Sequence, residues 1–148
     1  MRERLLAAEQ VVGFVWHEGA LHVLDQRRLP GEQVWQACHS VSAVAAMLAE
    51  GALRGAAAQV ICSGYGLVLG ARQRMEEGAD WRAGLQLDID ILCAAGLPSH
   101  EGERLLMRMQ QRLAISKPGA QPLAVLEDEA SGAHQRDREA NLAMAQLG

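Results

Sequence analysis

"LRGAAAQVICSGYGLVLGAR", residues 53–72, decides the fold. An arginine and a glycine lead into three alanines, and then into an apolar run interrupted by glycines. The spacing predicts a helix that starts just after Gly55 and runs to about Glu77. It is apolar almost all round as far as Gly70, so it must be buried on most sides. A helix of that kind needs a jacket, and the rest of the chain is read by asking what supplies one.

Upstream, "VVGFVWH" and "ALHVLD" flank an "EG" pair and predict two strands around a glycine-containing turn. "QRRLPGE" is a loop punctuated by Pro30–Gly31, and "QVWQAC" is a third short strand. The first ten residues, with charge and leucine at helical spacing, predict a short surface helix. From Ser40 the alternation gives way to helical spacing. Val41, Val44, Ala45, Leu48 and Ala52 then share one face, with Ser40 as cap. Downstream, Asp80 caps a helix through "WRAGLQLDIDILCAA" and Ser99 caps another through "EGERLLMRMQQRLA". "SKPGAQP" is a connector, with Lys117 a plain connector residue, and the remainder is a long polar-faced helix. The expected architecture is α+β: a small three-stranded antiparallel sheet (1–39) followed by a bundle of about five helices (40–148), as a single domain over 1–148.

Bulk properties narrow the function. The 148 residues are 49% hydrophobic, 22% charged and 3% aromatic. That is an ordinary globular balance with alanine, leucine and valine filling the core. A net charge of −4 argues against nucleic acid as a partner, since phosphates require a basic face. No apolar run reaches membrane-spanning length and "MRERLLAAEQ" lacks the apolar core of a signal peptide, so a cytoplasmic protein is expected. Cys38, Cys62 and Cys93 show no CxxC spacing, which points to neither disulfide framework nor zinc site. Cys62 and Cys93 sit in apolar runs as small hydrophobes.

Residues 54–58 offer half of an anion site. The first N–H groups of a helix have no partners within it and carry the positive end of its dipole. Gly55 and the alanines are small enough to let an anion approach, and Arg54 adds a forked donor. One charge-assisted hydrogen bond is worth about 1.5–3 kcal/mol and the dipole adds up to ~2, a millimolar grip without a second cationic arm. On the residues alone, a solvated loop arginine before a closely packed helix is the better account of the stretch.

Four pieces, "ALHVLDQRRLPGE", "LRGAAA", "GYGLVLGAR" and "DREANLAMAQLG", occur in this order across nearly the whole chain. Together they resemble the N-terminal part of the S-methyl-5-thioribose-1-phosphate isomerases of methionine salvage, relatives of the regulatory subunits of translation initiation factor 2B. The resemblance implies a phosphate-binding role for Arg54, Gly55 and Ala56. It also carries three departures. Ala57 stands where the family has proline. Gly96 and Leu97 stand where the family has a further phosphate-binding arginine, with Glu101 and Glu103 adding carboxylates nearby. The family's catalytic cysteine and aspartate belong to a C-terminal domain, so no catalytic role transfers to Cys38, Cys62 or Cys93. The implied function is that of an N-terminal isomerase-family domain, inactive alone, without cofactor or metal. The alternative is a regulatory or binding module that senses a phosphosugar or pairs with a full-length isomerase or a second copy of itself.

Other residues have local readings. His17, His22 and His39 lie on or beside the strands, where two of them could share a face without a third metal ligand. His134 is expected to face solvent, Glu127 and Glu129 to lie on a solvated helix face, and Arg27 and Arg28 to add positive charge near Arg54 if the loop folds over the helix start. Met107 and Met109 are candidates for a surface refitted to a partner.

Overall fold

The computed structural model describes residues 13–25, 27, 31–53, 55–78, 81–95, 100–116, 119 and 121–147. Strands β1 (Phe14–His17), β2 (Ala20–Leu24) and β3 (Trp35–Cys38) pair antiparallel in that order. They are followed by helices α1 (Val41–Glu50), α2 (Ala56–Glu76), α3 (Trp81–Ala94), α4 (His100–Ala114) and α5 (Pro122–Leu147). The α+β class is as the patterning predicts. The expected N-terminal surface helix, the caps Asp80 and Ser99, the Pro30 turn, Arg28, Gly96, Leu97 and Lys117 lie outside the described residues. No helix among the described residues is long and apolar enough to cross a membrane.

The hairpin turns at Glu18–Gly19, both at positive φ (53° and 72°), the geometry that matches the twist of paired strands. Its register places Phe14 opposite Val23 and Leu21 opposite Cys38. Because side chains alternate along a strand, these four share one face. All four are buried in the core against the helices. The tip of the hairpin is tied to α2, where Arg72 Nη1 donates to the Gly19 carbonyl at 2.6 Å.

Ser40 caps α1 as expected, its Oγ accepting from Ala43 N at 3.1 Å. The helix ends sooner than the periodicity suggests. Gly51 adopts a left-handed conformation (φ 75°) and returns its N–H to the last turn, as glycine does at helix C-termini. Ala52 therefore lies beyond α1, still buried, and Met47 joins Val41, Val44 and Leu48 on the inner face. Pro122, read as connector, is instead the first residue of α5, where a missing N–H and a fixed φ do no harm.

Helix α2 runs through the middle, touching α1, α3, α4, α5 and both β1 and β2. Every residue from Val60 to Ala71 is buried. Three glycines make that enclosure fit. A Cβ on Gly64 would stand 3.0 Å from Leu105 Cδ2 of α4, and one on Gly66 would stand 3.0 Å from Val44 Cγ1 of α1. A Cβ on Gly70 would meet an Asp88 carboxylate oxygen of α3 at 2.5 Å. Asp88 is itself almost wholly buried and receives both Nε and Nη2 of Arg74 at 3.0 Å, so α2 and α3 are joined by a forked ion pair beside the glycine.

Gly70→Ala is expected to destabilise the protein by about 1–3 kcal/mol through overpacking, outweighing the ~1 kcal/mol that alanine gains in helix propensity. Urea denaturation compared with the parent measures it; an unchanged midpoint would contradict the close approach at Gly70.

Candidate functional site

The head of α2 is the place where the central helix reaches the surface. Gly55 holds φ 96° and ψ 126°, a conformation open to glycine, and offers no side-chain cap to the helix. Ala56 and Ala57 follow it, both exposed. The loop before them is anchored by Gln59, whose Nε2 donates to the Leu53 carbonyl at 2.9 Å. Of the three residues expected to hold a phosphate, Gly55 and Ala56 are thus adjacent at an uncapped helix start, and Arg54 lies outside the described residues.

A cleft of about 430 Å³ opens beside this helix start, lined by Ala57 in its first turn. Its floor is apolar, made by Val60 and Ile61 of α2, Leu105 of α4 and Ala133 of α5. Its charged lining is Glu101, Arg104 and Arg108 from α4 and Arg136 and Asp137 from α5. The sequence reading found no cation in the loop before α4, whereas the helices on either side supply three. They were missed because helix neighbours cannot be read from one strand of text. The usable signal was the row Arg104, Arg108, Arg112, spaced one turn apart opposite the buried Leu106, Met109 and Leu113.

That row is unevenly satisfied. Arg112 Nη1 contacts Asp128 Oδ2 and Glu129 Oε2, both at 2.9 Å, and Arg108 Nε reaches Glu129 Oε1 at 3.2 Å. Glu129 is accordingly a largely buried clamp between α4 and α5, not part of a solvated face. Glu127 accepts from Trp16 Nε1 at 3.2 Å and ties α5 to the sheet. Arg104 and Arg136 have no ion-pair partner among the described residues. Glu103 stands exposed, 3.6 Å from His100 Nδ1.

Arg27 is already engaged. Its Nε and Nη2 donate to the buried Asp25 carboxylate at 2.9 Å, and its Nη1 reaches the Glu50 carbonyl at 3.4 Å. Asp25 and Arg27 thus form a clamp near the C-terminus of α1, with the Arg27 charge balanced by Asp25.

His134 corrects the expectation of a solvent-facing side chain. It is 8% exposed, packs on Phe14 at 4.7 Å between ring centroids, and shares a 3.1 Å hydrogen bond through Nδ1 with the Tyr65 hydroxyl. Tyr65 in turn stacks on Trp16 at 4.6 Å, and burial pushes its phenol up to about 12. These rings border a smaller cleft of about 230 Å³ whose rim includes Gln135 and Arg138. His134 continues the buried stripe of Leu126 and Ala130 at four-residue spacing along α5, and Phe14 of β1 and Tyr65 of α2 enclose it.

Nucleophilic and metal chemistry find little support. Burial raises the thiols of Cys38 and Cys62, the latter far above its usual range, and also that of Cys93. A raised thiol is mostly protonated and a poor nucleophile. The register places His17 and His22 on one face of the sheet, while the exposed His39 follows β3. No group of three or more metal-ligating side chains occurs among the described residues.

No protein-family model matches the chain. Over all 148 residues it is 49% identical to the methylthioribose-1-phosphate isomerase of Stutzerimonas stutzeri and 50% identical to that of Pseudomonas aeruginosa. The chain spans 41% of the length of each. Its fold superposes on 5-methylthioribose 1-phosphate isomerase from Pyrococcus horikoshii with a TM-score of 0.78, over 90% of this chain and 38% of that one. The delta subunit of translation initiation factor eIF-2B from A. fulgidus gives 0.74, over 86% and 37%. Both solved structures share 23% sequence identity with it, a likeness of fold. The chain resembles the N-terminal part of the methylthioribose-1-phosphate isomerases.

Burial lowers the proton affinity of His134 from its ordinary value near 6.5, and the Asp137 carboxylate opposes part of that shift. The unfolded chain therefore binds the proton first, so the stability contributed by neutral His134 is complete above pH 6.5 and lost as pH falls through the folded value. Melting temperature should drop on acidification below pH 6.5, and less steeply in His134→Gln. A parallel decline in both proteins would refute this assignment.

Proposed function

We propose that this chain, given its likeness to the N-terminal part of methylthioribose-1-phosphate isomerases, is a single phosphosugar-binding domain over residues 1–148. The phosphate of methylthioribose 1-phosphate, or of a related phosphosugar, is held at the head of α2 by Arg54 and the backbone of Gly55 and Ala56. The cleft of about 430 Å³ that opens at the first turn of α2 is the observation that carries this reading. An uncapped helix start leaves N–H groups for an anion, and the small side chains at 56 and 57 let it come close. The apolar floor of Val60, Ile61 and Leu105 suits the uncharged body of such a ligand.

A second reading, a module that pairs with a full-length isomerase or a second copy of itself, is favoured by one feature. Leu87 and Ile91, one turn apart on α3, are 58% and 41% exposed. Of the two methionines, Met107 is exposed and Met109 lies in the core. Co-purification with a full-length isomerase, lost in Leu87→Glu, is the outcome expected from that reading; retention of binding by the variant would remove its support.

The binding reading predicts that methylthioribose 1-phosphate raises the melting temperature of the parent chain by several degrees at a hundredfold excess over Kd. Arg54→Ala should lose about tenfold in affinity, the worth of one charge-assisted hydrogen bond. Equal shifts in parent and variant would show that residue 54 does not hold the ligand.

A further inference from the structure

We propose that Arg104 of α4 and Arg136 of α5 are the second cationic arm of the α2 cleft, taking the place of a loop-borne arginine as the determinants of phosphate-monoester binding. This rests on the phosphosugar reading and adds to it the residues that set the charge preference of the site.

The pairing pattern along the α4–α5 seam points to these two. Moving along α4 from its C-terminal end toward the cleft, Arg112 meets two carboxylates, Arg108 meets one, and Arg104 meets none among the described residues. On α5, Arg136 lines the cleft two turns beyond Glu129, next to the lining carboxylate Asp137, and has no ion-pair partner among the described residues. Two guanidinium groups from different helices thus line one cleft, beside the carboxylates Glu101 and Asp137 and with Arg108 already paired to Glu129. Arginine also presents a planar fork that matches phosphate oxygens, whereas a lone helix start offers only the ends of its amides.

The two carboxylates in the lining sharpen the preference. Glu101 lies one turn before Arg104 without an ion pair to it among the described residues. Asp137 acts on His134, which it makes easier to protonate. Acceptor-only groups beside two cations disfavour a bare phosphate ion, but they accept hydrogen bonds from hydroxyl groups carried next to a phosphate. The cleft therefore favours a hydroxylated phosphate monoester over inorganic phosphate.

Titration calorimetry on the full chain separates the outcomes, with ribose 1-phosphate and inorganic phosphate as probes. Arg104→Gln and Arg136→Gln should each weaken ribose 1-phosphate about tenfold and flatten its salt dependence, with the unliganded melting temperature unchanged. Arg82→Gln, whose guanidinium lies 4.7 Å above the Trp81 ring on α3, should bind as the parent does. If Arg54→Gln loses affinity while Arg104→Gln and Arg136→Gln bind as the parent, the second arm is refuted and the phosphosugar reading stands. Equal affinity of the parent for the two probes would refute the hydroxyl preference. A parent that binds neither probe at millimolar concentration would overturn both proposals.

Discussion

Enclosing α2 is the constraint on which the other elements depend. A stretch of twelve successive buried residues, from Val60 to Ala71, leaves no face for water. Four helices and two strands must close around it, and they approach closely only where the central helix has no side chain to obstruct them. Gly64 admits α4, Gly66 admits α1 and α3, and Gly70 admits the Asp88 carboxylate. The glycines weaken α2 as an isolated helix by roughly 1 kcal/mol each. Tight packing of Leu105, Val44 and Leu92 against them offsets that loss, since interiors gain dispersion energy at every close contact.

Polar contacts hold the jacket in register. Arg74 on Asp88 joins α2 to α3, Arg108 and Arg112 on Glu129 join α4 to α5, and Arg72 on the Gly19 carbonyl joins α2 to the hairpin. Their partly exposed members contribute little stability, about 0–1 kcal/mol for a surface pair. Their geometry is forked or shared, so they discriminate between neighbouring registers that apolar contact alone would tolerate. The ring triplet of Trp16, Tyr65 and His134 does the same for the sheet against α5, with the Tyr65 ring at its centre.

The candidate site follows from how the central helix begins. Burying the middle of α2 forces its first turn to surface at the edge of the bundle, between α4 and α5. Charged residues that α4 and α5 would otherwise pair with each other are there turned toward a cleft. The same helix start that the bundle cannot cover is therefore the one that meets arginines from two sides of the chain. A cleft of this kind depends on helix packing as much as on any single motif.

Periodicity by itself determined the sheet, the Ser40 cap, the course of α2 and the order of the helices, because local patterns report which face of an element must be dry. The residues at the start of α2 were legible for the same reason: Gly55 and Ala56 mark a helix start in one dimension. Side-chain partners across elements were not. Ala52 was placed on α1 because hydrophobic spacing continues past a helix that Gly51 stops through its backbone. His134, expected to face solvent, is enclosed by Phe14 of β1 and Tyr65 of α2, and the cleft that Arg104 and Arg136 share exists only where two helices meet. Tertiary structure decided those, since long-range contacts depend on the relative placement of whole elements, which the spacing within either one does not set.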